Sequence, residues 1–242
     1  MKIIYIYHSC FSIEYQDITI VIDYFKDSYK RNEGVVHDQL LSRPGKLYVL
    51  SSHFHPDHFN PEVLRWKEKH SNIQYIFSKD ILDTGKAKIN DAIYLNKFDI
   101  FQDDLLKIKA FGSTDIGISF LIELEGKRIF HAGDLNNWHW KEESTPEEIK
   151  EAEDNYLSEI NDLAQNTDYI DVVMFPVDGR LGKDYMLGAQ QFVDHIKTGL
   201  FIPMHFGEKY HEAAAFKDYA EYKGVRFAEI IGKGQCITLP HL

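Results

Sequence analysis

One stretch limits what this chain can fold into more than any other: Ser52-His53-Phe54-His55-Pro56-Asp57-His58, directly after the apolar run Leu47-Tyr48-Val49-Leu50. Imidazole nitrogens and carboxylate oxygens are the ligands that Zn²⁺ and other first-row metals take, and a loop at a strand end can aim several of them at one point. The spacing lets His53 and His55 turn together towards one ion, while the adjacent Asp57 and His58 reach a second. Two metals side by side are therefore expected. A polar turn with scattered imidazoles is the alternative, and it does not account for three His and one Asp in residues 53–58 straight after a buried-type strand.

This His-x-His-x-Asp-His pattern resembles the signature of the metallo-β-lactamase-fold hydrolase superfamily. The flanking pieces are similar to the branch that holds ascorbate-6-phosphate lactonase-like and related zinc-dependent hydrolases. The resemblance covers nearly the whole chain and implies an α/β (α+β) fold, a four-layer αββα sandwich with metals at one edge between two sheets. It implies further roles residue by residue. Asp134, in His131-Ala132-Gly133-Asp134, matches the carboxylate that bridges both metals. His205, at the end of Leu200-Phe201-Ile202-Pro203-Met204-His205, matches the last metal His and completes the second site with Asp57, His58 and Asp134. Asp23, closing Val21-Ile22-Asp23, matches a strand-end carboxylate able to accept the second ring N–H of a ligating His. His8 matches a His close to the site mouth.

The chain departs from the family at Phe111-Gly112-Ser113-Thr114-Asp115, where Ser113 stands in place of a His that completes the first site in most relatives. Three outcomes are open: Asp115 or a water substitutes, the first site is weak, or only one metal binds tightly. A plain turn with local Ser and Asp hydrogen bonds is the structural alternative for this stretch.

At 242 residues the chain is long enough for one large domain, and a single domain over 1–242 is expected. A net charge of −11 disfavours nucleic acid and anionic membrane, both of which are bound largely through Lys/Arg neutralisation. Ser9, Glu14 and Asp17 interrupt the opening apolar run too early for a secretory leader, and no later run approaches a membrane span. Cys10 and Cys236 lie far apart and outside any CxxC spacing. A cytoplasmic protein acting on a small molecule is expected; the sequence fixes no oligomeric state.

Alternating apolar residues predict a β-meander over 2–23, and the segment 26–44 reads as a loop with one helical turn. Asn60-Pro61-Glu62 starts a helix running to about His70, with Asn as cap and Pro at the first position. Strands are expected at 73–77, 93–95 and 105–111, then a hairpin around Glu125-Gly126 that leads to Asp134. Thr145-Pro146-Glu147-Glu148 opens the clearest helix, to about residue 166, with Ile149, Ala152, Tyr156, Ile160 and Leu163 on one face. A strand at 171–177, a helix at 189–196, a strand at 200–206, a helix at 208–222 and a closing strand at 230–239 complete the chain.

The expected chemistry is metal-assisted hydrolysis. One or two dications lower the pKa of bound water and polarise the scissile C=O or P=O, and the hydroxide attacks an ester, lactone, amide or phosphoester of a small molecule. Asp57 holds that nucleophile and takes its proton; His139, in Asn136-Asn137-Trp138-His139-Trp140, is the candidate for substrate contact or proton transfer. The metal ligands are then His53, His55, Asp57, His58, Asp134 and His205, with Zn²⁺ the expected cofactor and Mn²⁺ or Fe²⁺ admitted by the same ligands. Two other readings stay open: a non-catalytic metal-binding or ligand-sensing module, which Ser113 favours, and a metal-dependent nuclease or phosphodiesterase, which the charge disfavours.

Overall fold

The computed structural model describes residues 1–30 and 33–239. Their packing divides into two compact units, one of Met1–Leu95 together with the segment from Ile231 onward, the other of Asn96–Ile230.

The first unit is built on a seven-stranded sheet. The opening run of Ile, Val, Tyr and Phe forms an antiparallel meander, β1 (Lys2–Tyr7), β2 (Cys10–Tyr15) and β3 (Ile18–Ile22). Parallel strands β4 (Lys46–Ser51), β5 (Ile73–Ser78) and β6 (Ile93–Leu95) then add beside β3, and the late strand Cys236–Thr238 pairs antiparallel with β1 at the opposite edge. β4 is buried on both faces, so it reads as a continuous apolar run rather than an alternating one. Leu47 and Val49 on β4, with Tyr75 and Phe77 on β5, pack in one core cluster with Val36, Val63, Trp66 and Ile81. Those four come from α1 (Val35–Asp38), the turn Pro61–Glu68 and α2 (Lys79–Asp83).

The Asn60 cap and Pro61 sit as the sequence predicts, with Asn60 Oδ1 accepting from Glu62 N at 3.0 Å. The segment winds as a 3₁₀ rather than an α-helix. The Tyr75 hydroxyl donates to the Val63 carbonyl at 2.6 Å and so occupies an acceptor that an α-helical turn would use.

The second unit repeats this plan with different sequence. β7 (Ile100–Gln102), β8 (Lys107–Phe111), β9 (Ser119–Leu124) and β10 (Lys127–His131) are antiparallel. β11 (Tyr169–Pro176), β12 (Lys197–Met204) and β13 (Arg226–Phe227) follow in parallel with β10. The longest helix, α3 (Pro146–Ala164), starts with the predicted capping box and buries Tyr156, Ile160 and Leu163. α4 (Leu187–His195) buries Ala189, Phe192 and Val193. The helix expected over 208–222 is two short ones, α5 (Tyr210–Ala214) and α6 (Lys217–Tyr222). Among the described residues no helix is long and apolar enough to cross a membrane.

Candidate metal centre

In both units the sheet changes from antiparallel to parallel pairing, and the carboxyl ends of the parallel strands carry the chemistry-bearing residues. This is where ligands bind in open α/β sheets. In the first unit the strands concerned are β3 and β4. The backbone ladder continues one step past them, with Asp23 N donating to Leu50 O at 2.9 Å, so that Asp23 is held beside the start of the His motif. Its fully buried carboxylate accepts from Ser52 N and Ser52 Oγ, both at 2.7 Å, and from His58 Nδ1 at 2.7 Å. Because Ser52 Oγ spends its proton on Asp23, it accepts from His53 Nδ1 at 3.0 Å. One carboxylate thus fixes two rings, His58 directly and His53 through a hydroxyl, and each ring is left with its lone pair on Nε2.

Those Nε2 atoms face other ligand-type groups. His53 Nε2 is 3.0 Å from His55 Nδ1, and His58 Nε2 is 3.8 Å from Asp57 Oδ2. His8, at the β1–β2 turn, places Nε2 3.3 Å from Asp57 Oδ2, and ligand-type atoms of His8, Asp57 and His58 all lie within 4.8 Å of one another. Two donors each ~2.1 Å from one Zn²⁺ are roughly 3.4 Å apart in tetrahedral geometry, the spacing these atoms approach. The loop is also pinned from outside, Phe54 N donating to Asp80 Oδ2 of α2 at 2.8 Å.

The second unit builds its set in the same way. Gly133 takes a left-handed φ of 55°, turning the chain after β10 so that Asp134 follows directly. Val177 N donates to Met204 O at 2.9 Å and extends the β11–β12 ladder to Asp178 and His205. Asp178 accepts from His205 Nδ1 at 2.9 Å, and His205 Nε2 lies 3.3 Å from Asp134 Oδ1. Burial alone would raise the Asp178 carboxyl pKa, yet hydrogen bonds from His205 and Arg180 hold it well below the usual carboxylate range. A carboxylate of Asp115 lies within 4.8 Å of one of Asp134, so the loop that carries Ser113 brings an acid rather than an imidazole to Asp134. Trp138 donates from Nε1 to Asp134 O at 2.7 Å, stacks on Trp140 and presents its ring edge-on to His205.

The donors in each unit are of the kind a divalent cation takes: imidazoles whose Nδ1 is held by a buried carboxylate or by a hydroxyl bonded to one, with further carboxylates beside them to offset its charge.

His139 is placed differently from its expected role. It is buried, with Nε2–H donating to Asp184 O at 3.2 Å and Nδ1 accepting from Lys141 N at 3.2 Å, and burial lowers its pKa. Both ring nitrogens are committed to the backbone, a structural task that leaves neither for proton transfer. The sequence reading passed over two residues: Asp178, as the partner of His205, and Ser52, as a relay. Asp178 had a usable signal, since it ends an apolar strand just as Asp23 does. Ser52 had none, because its role depends on where β3 delivers Asp23.

The chain belongs to the beta-lactamase superfamily, whose domain matches residues 2–150, and it has the metallo-β-lactamase fold. A UPF0173 metal-dependent hydrolase of Desulforamulus reducens is 24% identical over 99% of this chain and 100% of its own length. Among solved structures, Igni18, a metallo hydrolase from the archaeon Ignicoccus hospitalis, superposes with a TM-score of 0.72 at 18% identity, covering 100% of this chain and 99% of its own. CmlA, a diiron β-hydroxylase from Streptomyces venezuelae, gives 0.68 at 14% identity over 98% of this chain and 54% of its own.

Proposed function

We propose that this chain, a metal-dependent hydrolase of the metallo-β-lactamase superfamily, cleaves an ester, lactone, amide or phosphoester of a small molecule. The observation that carries the reading is the carboxylate–histidine pairing made separately in each unit, Asp23–His58 at 2.7 Å and Asp178–His205 at 2.9 Å. Such pairing fixes an imidazole as a metal ligand and raises its basicity. The ligands are His53, His55, Asp57, His58, Asp134 and His205. Zn²⁺ is the cofactor we favour, and the same nitrogen and oxygen donors accept Mn²⁺ or Fe²⁺. Asp115 takes the place left by the missing His at Ser113, for which its approach to Asp134 is the support.

A divalent cation bound by these residues supplies Lewis acidity and makes water a nucleophile near neutral pH. The protein's own groups do the rest. Asp57, about one-third exposed, orients the attacking water and takes its proton on Oδ2, the oxygen that His8 Nε2 faces at 3.3 Å. Trp138 and Trp140 give a flat apolar wall beside His205 that screens a bound substrate from water.

Elemental analysis of the purified, metal-replete protein should give one to two metals per chain. Turnover on a panel of carboxylic esters, lactones and phosphodiesters should fall by at least about 10³-fold in Asp57→Ala, as expected for loss of a general base. A chain that carries no metal even after supplementation, or an Asp57→Ala protein as active as the wild type, removes the proposal.

A further inference from the structure

The loop of residues 112–118 joins β8 to β9, whose last paired residues are Phe111 and Ser119. It carries Ser113, in the place of the missing His, and Asp115, a carboxylate oxygen of which lies within 4.8 Å of one of Asp134. The charges of the two acids oppose that approach. Asp115 is exposed and Asp134 buried, like charges repel, and an exposed carboxylate is hydrated best when it turns away from a second one. Other contacts therefore have to hold the backbone that carries Asp115.

Thr114 supplies such a contact. Its Oγ1 donates to Asn136 O at 2.5 Å and accepts from Asn136 N at 3.0 Å. A hydroxyl has one proton to give, and here it goes to the carbonyl of the same residue whose amide it receives. The side chain thus pairs with both backbone groups of one residue, as a neighbouring strand would. The branched Cβ of Thr restricts χ1, so this pairing also fixes the Thr114 backbone, and Asp115 is the next residue.

Asn136 is a firm anchor, two residues beyond Asp134. It is fully buried, and its carbonyl also accepts from Trp138 N at 3.1 Å. α4 closes on it so tightly that a Cβ on Gly188 would lie 1.9 Å from Asn136 Oδ1. Asp134 itself sits in a turn closed by Leu135 N donating to Ala132 O at 3.0 Å. The base of the 112–118 loop is tied down separately, Ser119 Oγ donating to Gly112 O at 3.0 Å. Asp115 N donates to Ser113 Oγ at 3.4 Å, so Ser113 turns back upon its own loop while Thr114 reaches across to the loop of Asp134.

We propose that Thr114 is a positioning residue of the metal centre: it locks Asp115 beside Asp134, so that one divalent cation takes an oxygen from each. The inference rests on the reading that Asp115 takes the place left at Ser113, and it deepens that reading. An Asp side chain reaches less far than an imidazole Nε2, so its backbone has to be held closer to the ion than that of a His.

The test is chelator competition for Zn²⁺ on the metal-replete full chain, comparing wild type, Thr114→Val, Thr114→Ser, Asp115→Asn and the double variant Thr114→Val/Asp115→Asn. Thr114→Val keeps the shape and removes both bonds; it should weaken Zn²⁺ binding at least about tenfold, as loss of a partner that orients a ligand does. Asp115→Asn should weaken it as much or more. The double variant should be no weaker than Asp115→Asn, because residues that act through one another are not additive. Thr114→Ser, which keeps the hydroxyl, should stay within a few-fold of wild type. If Thr114→Val does not fold, Thr114→Ala, which leaves room for a water on Asn136, takes its place in the same cycle. An Asp115→Asn protein that is weakened while Thr114→Val matches wild type overturns the proposal and leaves the Asp115 reading standing. A Thr114→Val loss that recurs in full on the Asp115→Asn background, or that Thr114→Ser shares, also overturns it, since Thr114 would then act on the fold at large. Asp115→Asn binding as tightly as wild type removes the Asp115 reading, and the proposal with it.

Discussion

Asp23 carries more of the first ligand set than any residue in the His motif itself. It accepts from His58, from the Ser52 hydroxyl that orients His53, and from the Ser52 amide, all without access to solvent. Its substitution by Asn keeps the shape but turns an N–H donor towards groups that also donate, so His58 and His53 lose their fixed tautomers. Asp23→Asn should weaken metal affinity about 10–100-fold, as loss of such outer partners does, read by competition against a chelator, with circular dichroism unchanged. An affinity equal to wild type would mean that the ligand rings are fixed by something else. His8, Asp23 and His205 also share a backbone feature: φ values of 58°, 50° and 62° place all three in the left-handed region, which costs a non-glycine residue about 1–3 kcal/mol. Each sits where a strand stops, and this conformation lets the side chain leave the sheet at the strand end.

At the scale of elements, the two sheets solve one problem twice. A parallel strand pair aligns its carboxyl ends, so a carboxylate ending one strand meets a His from its neighbour: Asp23 with the β4 loop, Asp178 with His205. The strand pairing is in register up to the site, Ile22 opposite Leu50 and Pro176 opposite Met204, so a slip in either pair would misplace the imidazole by a full residue. Among the helices, α3 begins at a reciprocal cap in which Thr145 N and Oγ1 both donate to Glu148 Oε2, and these bonds hold the Glu148 carboxyl below its ordinary value of 4.5. A depressed carboxylate stabilises the fold above its unfolded pKa, and that contribution is lost as pH falls through the folded value. Glu148→Ala should therefore melt below wild type at pH 7, and the gap should close as pH drops below 4.5; thermal melts at pH 7, 5 and 3.5 check this. A gap that is constant across the three would assign the loss to something other than the charge of the carboxylate, since Ala is itself the better helix former.

For the whole molecule, metal and stability are linked. The unfolded chain lacks these fixed rings, so a bound cation stabilises the native state by about 4 kcal/mol when present at a thousandfold its Kd. At roughly 2–4 °C per kcal/mol for a chain of this size, stripping the metal with a chelator should lower the melting temperature on the order of 10 °C, and re-addition should restore it. An unchanged melting temperature in a protein shown to lose its metal would mean that the cation binds the unfolded chain as well as it binds the native one.

Most of the strands, the capping box of α3 and the His or Asp that follows β4, β10 and β12 were legible in the amino acids, because each rests on local periodicity or on residue chemistry at short range; the short strands β7 and β13 were not, being too brief to show a period. His53, His55, Asp57 and His58 stood out as candidates by residue chemistry at short range, four ligand-type side chains in six residues. What the sequence by itself left undetermined were partnerships between residues far apart in the chain: Asp23 with His58, Asp178 with His205, Asp115 with Asp134. His139 shows the same limit from the other side. Its neighbours in sequence suggested a reactive group, and only the fold, by bringing the Asp184 carbonyl and the Lys141 amide to its two nitrogens, decided that its task is structural. A side chain's type fixes the bonds it can make, but which partner it meets is decided by strand register and by the turns at strand ends, and these are properties of the assembled sheets.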